Sequence, residues 1–188
     1  MMLALGIRYL TGYAVASDPS NRARAEWPPH PGRVYMALAD AYFETGEDAG
    51  EREALEWLET LPSPLVAASD ADARRVLTHY VPVNDKAVAG KAFLQSAPAI
   101  ARIKQPRTFP RVRPVDDTVW YIWPDTDPPD AIRDALDSLC GKVVRVGHSS
   151  SLVQAWIERD LNGVVPRWIP DDKEAEIRMR VPSRGTLA

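Results

Sequence analysis

Trp27-Pro28-Pro29-His30-Pro31-Gly32-Arg33-Val34-Tyr35-Met36-Ala37-Leu38-Ala39-Asp40-Ala41-Tyr42 sets the frame of this chain. Its prolines hold the backbone extended, because a pyrrolidine ring fixes φ and pushes the preceding residue out of the helical region. A helix begins directly afterwards. Pro31 suits a first helical position, where the missing N–H costs nothing, and Val34, Leu38, Ala41 and Tyr42 share one face at helical spacing. The spacing predicts a helix to about Glu44, stopped by Thr45-Gly46. A stiff turn carrying Trp27, His30 and Arg33 is thereby set at the mouth of a buried helix.

Before this turn, Leu3, Leu5, Ile7 and Tyr9 share one parity, which predicts a first strand over residues 2–10 facing the core. Residues 16–26 read as a polar loop holding Arg22 and Arg24. After it, residues 51–61 predict a second helix, with Leu55, Leu58 and Leu61 inward and its acids on a solvated face. A short apolar run at 65–68 and a strand pattern at 76–83 follow, the latter marked as an edge or an end by Pro82. Residues 84–114 have little periodicity, several prolines and a growing excess of Lys and Arg, which predicts a functional insert.

Val119-Trp120-Tyr121-Ile122-Trp123 is the strongest strand signal in the chain. A helix opening at residues 127–130 then places Ile132, Leu136 and Leu139 on one face, with Gly141 past its end. Residues 143–146 read as the next strand, followed by the turn Gly147-His148-Ser149-Ser150-Ser151, and residues 175–181 alternate as a strand does. The succession is the split βαβ order of an α+β, ferredoxin-like or RRM-like domain with a long insert and a C-terminal β tail. Its expected extent is residues 1–160, with the insert at about 84–114 and a C-terminal β segment over 161–188.

Composition narrows the function classes. With 188 residues, 45% of them hydrophobic and 26% charged, the chain is long enough for a substantial core. Its single cysteine, Cys140, cannot form an internal disulfide, which fits a reducing cytosol. No run reaches the ~18 apolar residues of a membrane helix, and the amino-terminal apolar stretch lacks the basic lead of a secretory signal, so a cytoplasmic protein with no membrane partner is expected. The net charge of −3 hides an uneven distribution. Eight acids from Asp40 to Glu59 face Arg52 alone, whereas the segment from Arg102 to Arg113 has no acid at all.

Chemistry-bearing patterns are sparse. His30, His79 and His148 have no metal-ligating neighbours at short spacing, and neither a phosphate-binding loop nor a dinucleotide fingerprint is present, so no metal and no cofactor is expected. Three serines follow His148, but no Gly-x-Ser-x-Gly turn exists. The turn reads instead as a cluster of backbone and hydroxyl donors which, with Arg145, can hold a phosphate or a splayed base. Lys104, Arg107, Arg111 and Arg113, interleaved with Phe109 and prolines, suit a single strand of RNA, with cations on phosphates and planar groups on bases. The candidate RNA contacts on these patterns are Lys104, Arg107, Arg111, Arg113, Arg145, His148, Ser149 and Ser150, with no catalytic residue among them.

Four stretches taken together, Trp27 to Leu38, Phe109-Pro110-Arg111-Val112-Arg113-Pro114, Gly147-His148-Ser149-Ser150-Ser151-Leu152-Val153 and Arg180-Val181-Pro182-Ser183-Arg184-Gly185-Thr186-Leu187, resemble the Csb-two family. That family is the type I-U (I-G) CRISPR-associated protein in which a Cas-five part is fused to a Cas-six part, and the likeness falls on the N-terminal Cas-five portion. The resemblance implies an RRM-like subunit of the Cascade complex that holds the five-prime handle of the CRISPR RNA and caps the assembly in antiviral defence. Implied partners are the CRISPR RNA, the Cas-seven backbone subunit, the large subunit and the Cas-six portion, which follows the Arg180 to Leu187 segment in that family and carries its ribonuclease activity. The insert would be the thumb, and residues 27–33 and 147–150 would face the handle, so the resemblance adds Trp27, His30 and Arg33, with Arg22 and Arg24 of the adjoining loop, to the candidate RNA contacts. The alternative is a metal-independent endoribonuclease acting on precursor RNA, which would draw base and cation from His30 with Arg33 or from His148 with Tyr35.

Overall fold

Strand β1 (Leu3–Tyr9) lies in the middle of a four-stranded sheet because both of its faces are apolar or small. The computed structural model describes residues 2–74, 76, 78–87, 102–171, 175 and 177–188. On one side of β1, Leu3, Leu5, Ile7 and Tyr9 enter the main core, as their parity predicts; on the other, Ala4 and Gly6 are also buried. β8 (Thr118–Trp123) and β9 (Val153–Glu158) pair antiparallel with β1 on either edge, and β3 (Leu65–Ala67) pairs with β8. The resulting order, β3-β8-β1-β9, is that of the split βαβ domain. The fold is α+β, as the succession of elements predicts.

The three helices among the described residues sit on one face of this sheet. α1 (Pro31–Glu44) buries Val34, Leu38, Ala41 and Tyr42. α2 (Ala49–Leu58) starts two residues earlier, and ends three residues earlier, than its apolar spacing alone predicts. The Asp48 carboxylate accepts the N–H groups of Gly50 and Glu51 and so supplies partners for two otherwise unsatisfied donors of the first turn. α3 (Asp130–Lys142) buries Ile132, Leu136 and Leu139, and Gly141 lies inside it rather than beyond it. The acidic face of α2 is not uniformly solvated. Glu51 is buried against α3, where Lys142 and Ser138 donate to it, and Glu59, just past the helix, is buried too.

Two smaller sheets lie beyond the main one. β2 (Ala14–Val15), β4 (Ala71–Arg74) and β7 (Arg111–Pro114) form a three-stranded sheet in the order β2-β7-β4. Strands of two to four residues are too short for a periodic signal, so sequence pattern predicts only β7's neighbourhood as insert. β5 (Thr78–Ala87) and β6 (Arg102–Thr108) pair as an antiparallel hairpin, with an irregularity in register between Pro82 and Ala87. Thus part of the expected insert is a hairpin, while residues 88–101 lie outside the described residues.

Two expected strands are corrected. Residues 143–146 form no strand, because Val143 caps α3 and Val146 donates its N–H to the Ser151 carbonyl, closing a turn. The strand that pairs with β1 is β9, ten residues later. Residues 177–181 belong to no ladder either, although Arg180 pairs by backbone with the start of α1: Gly32 N–H donates to the Arg180 carbonyl at 2.8 Å, and Arg180 N–H donates to His30 Nδ1 at 3.3 Å.

From there the C-terminal segment crosses the helical side of the core as a strap. Pro182 closes a small apolar cavity that Leu5, Val34, Leu38, Leu58, Tyr121 and Trp123 also line. The Glu59 carboxylate then accepts the N–H groups of Gly185 and Leu187, both at 2.7 Å, together with the Tyr35 hydroxyl. Burial alone raises the Glu59 pKa, but the donors from Tyr35 and the strap backbone outweigh it and bring the carboxyl below its ordinary value.

On the open face of the sheet, Gly6 lies between the edge-to-face rings of Trp120 and Trp156, whose centroids are 5.1 Å apart. A Cβ at Gly6 would stand 2.7 Å from both. Gly6→Ala is therefore expected to cost about 1–3 kcal/mol in urea unfolding, since rigid rings must move. Because a depressed carboxyl pKa stabilises above the unfolded value and fails as pH falls through the folded one, protection of the Gly185 and Leu187 amides from hydrogen exchange is expected to persist at neutral pH and to be lost as acidification passes below the ordinary glutamate range. In Glu59→Ala the same protection is expected to be absent at pH 7.

Candidate nucleic-acid interface

A cleft of about 530 Å³ opens where the β5–β6 hairpin meets the β2-β7-β4 sheet. Its walls bring together Arg22 and Arg33 from the amino-terminal third, Arg107 and Phe109 from the insert, and His148 from the turn after α3. The backbone of residues 15–17 forms part of its lining.

Each wall has its own anchor. The turn at 147–151 is fixed to β2: His148 N–H donates to the Val15 carbonyl at 2.9 Å, and the fully buried Ser151 hydroxyl accepts Val15 N–H at 2.8 Å while lying 3.2 Å from its carbonyl. Gly147 holds φ at +89°, and a Cβ there would stand 2.7 Å from the Val15 carbonyl oxygen, so both conformation and space require glycine. On the insert side, Val112 and Pro114 point inward from β7 while Arg111 and Arg113 point outward.

Arg33 is held by a carboxylate that sequence pattern does not single out. Glu26 is only 3% exposed. It accepts Arg33 Nε at 2.7 Å, Arg33 Nη2 at 2.8 Å and the His30 N–H at 3.0 Å, while Arg33 Nη2 also reaches the Ser17 carbonyl. The bonds to Glu26 push the Arg33 pKa up. At His30, burial is the largest influence and lowers the pKa, so a neutral ring accepts the Arg180 N–H at Nδ1.

The remaining candidates divide clearly. Trp27 packs on Tyr9 and donates Nε1–H to the Ser69 carbonyl, which makes it part of the core rim. Arg22 and Arg24 are exposed, and only Arg22 lines the cleft. Arg107, Arg111 and Arg113 are exposed, with Arg111 lying 5.3 Å over the Tyr13 ring. The Lys104 side chain lies outside the described residues. Ser149 and Ser150 are exposed beside His148. Arg145 does not line the cleft; it pairs with Asp40 at 2.8 Å and Glu44 at 3.5 Å, at the far end of α1. Tyr35 is buried against Glu59 and does not meet His148 in the cleft.

Arg74 is a cation that no sequence pattern singles out. It stands directly opposite Arg111 across the β4–β7 pair, and neither forms an ion pair with a described residue. Like charges opposite each other destabilise a sheet unless an anion lies over them. The Arg74-Arg75 doublet is the only trace of this in the sequence.

Reactive groups are few. Cys140 is buried on α3, and burial pushes its thiol up to about 12. Among the described residues no cluster of three or more metal-ligating side chains occurs, and no helix is long and apolar enough to cross a membrane.

Comparison with known proteins decides the family, since residues 4–188 match the CRISPR-associated protein family GSU0054. The chain belongs to this CRISPR-associated family. A search of curated proteins finds no match. Among solved structures, the GSU0054-family chain is similar to a CRISPR protein from Archaeoglobus fulgidus, with 16% identity, a TM-score of 0.37 and 84% of the present chain covered. The match spans 63% of the length of that protein.

Removing Arg33 from the GSU0054-family protein would strand Glu26 in a nearly solvent-free site. Arg33→Ala is therefore expected to destabilise by about 3 kcal/mol in chemical denaturation. Arg33→Lys is expected to recover only part of that loss, because an ammonium cannot reproduce the two-pronged contact.

Proposed function

We propose that this CRISPR-associated protein is a non-catalytic RNA-binding assembly subunit, a Csb-two-like Cas-five portion that holds the five-prime handle of CRISPR RNA in a Cascade complex. In this reading residues 1–160 form the RNA-binding domain and residues 161–188 lead toward a Cas-six portion. The Cas-seven backbone subunit and the large subunit are the neighbouring partners.

The observation that carries the reading is the cleft, where Arg22, Arg107, Phe109 and His148 converge from three separated segments. Arg33 is largely neutralised by Glu26, so the charge offered to a phosphate comes chiefly from Arg22 and Arg107. Arg74 and Arg111, opposite each other across β4 and β7, extend the basic surface, whereas Arg113 stands opposite Asp72. Phosphates follow these guanidinium groups, while the ring-bearing wall meets bases.

The test is the salt dependence of RNA binding by the full chain. For single-stranded RNA, Arg22→Ala and Arg107→Ala are each expected to reduce the slope of log affinity against log salt by about 0.7 per lost phosphate contact. Arg145→Ala, outside the cleft, is expected to leave the slope unchanged. Unaltered slopes in both cleft variants would remove the cleft from the RNA footprint.

A further inference from the structure

Where the insert meets the turn after α3, three rings cluster at the cleft. Phe109, between β6 and β7, has its centroid 4.5 Å from that of His148 and 5.7 Å from that of His79, with tilts of 55° and 52°. Phe109 and His148 line the cleft, and both are only partly buried, so ring surface remains open to solvent.

The hydrogen bonding of His148 fixes which nitrogen is free. Nδ1 accepts the Ser150 N–H at 3.2 Å and lies 2.8 Å from the Ser150 hydroxyl. A neutral imidazole that accepts at Nδ1 carries its proton on Nε2. That Nε2–H has no described partner. The ring cannot drift far, because the backbone of its turn is bonded to β2 through His148 N–H and the Ser151 hydroxyl. The site thus presents a rigid apolar ring, a second ring held by backbone, one unspent donor, and the guanidinium groups of Arg22 and Arg107 in the same cleft.

We propose that Phe109 and His148 form a seat for one unstacked nucleobase of a single RNA strand, with the His148 Nε2–H donating to an acceptor on the base edge. This deepens the RNA-binding reading and rests on it. The two rings already touch, so the base lies on the pair rather than between its members. Its flanking phosphates then fall to Arg22 and Arg107. A base already paired in a duplex cannot present its face to this wall, which makes a single strand the required ligand.

The experiment titrates the full-length chain with end-labelled single-stranded RNA oligonucleotides at low salt, followed by fluorescence anisotropy. In one series each nucleotide in turn is abasic; in a second, each base in turn is difluorotoluene, which keeps ring shape but lacks acceptors of ordinary strength. In the wild type, one abasic position is expected to weaken binding about ten-fold or more. The same position is expected to cost nothing further in Phe109→Leu, and Phe109→Trp is expected to restore the penalty. Difluorotoluene at that position is expected to weaken wild-type binding but not that of His148→Phe.

An abasic series without a sensitive position overturns the proposal without needing any variant, as does a penalty that persists undiminished in Phe109→Leu and Phe109→Trp alike. A free 5′-mononucleotide that binds as tightly as the oligonucleotide overturns the assignment to a strand. If Arg22→Ala and Arg107→Ala weaken binding while the abasic series stays flat, the seat fails and the RNA-binding reading stands. A wild-type chain that binds none of the oligonucleotides overturns both.

Discussion

A carboxylate can be buried only where cations and N–H groups replace the water it loses. Glu26 meets that requirement with the Arg33 guanidinium and the His30 N–H, and the rest of the amino-terminal half is arranged around it. Its own N–H donates to the Ala16 carbonyl, which closes the loop carrying Arg22 and Arg24 back on itself. Through His30 the same network touches the C-terminal strap, and through Arg33 it touches the cleft. Two ends of the molecule therefore share one electrostatic anchor, and Arg33 belongs to the architecture as much as to the basic surface.

The cleft shows why a net charge says little about an acidic protein's partners. The acids of α1 and α2 are drawn into internal pairs: Glu51 with Lys142, Asp40 and Glu44 with Arg145. The guanidinium groups of Arg107, Arg113 and Arg74 make no ion pair with a described residue. Acidic residues are thus spent near the helices, and basic ones remain available at the insert. Electrostatic preference for a polyanion is local to one side of the molecule.

The elements legible in the sequence were those that repeat. Leu3, Leu5, Ile7 and Tyr9 announce β1, the Pro31 helix announces its buried face, and the aromatic run at 119–123 announces β8. Residues 143–146 look more like a strand than residues 153–158 by composition, yet the latter pair with β1, because register is settled by partners far along the chain. The same physics hid parts of the site. Nothing near Glu26 marks it as buried, and nothing near Arg145 reveals Asp40, a partner 105 residues away. His148, Arg107 and Arg22 were legible as chemistry, but their meeting in one cleft depends on a hairpin whose docking no local pattern encodes.

The central position of β1 also dictates when this domain can be completed. Its two neighbours in the sheet are β8 and β9, so β1 leaves the ribosome long before either of its partners and is among the last strands of the domain to be paired. At ~5–20 residues per second, about 8–30 s pass between the synthesis of β1 and that of β9. During this interval a strand with two apolar faces has no sheet to join, and the strap that covers the helical side of the core arrives later still. Until β8 and β9 are made, the nascent chain carries apolar surface and unpaired strand edges that nothing else in the domain can cover.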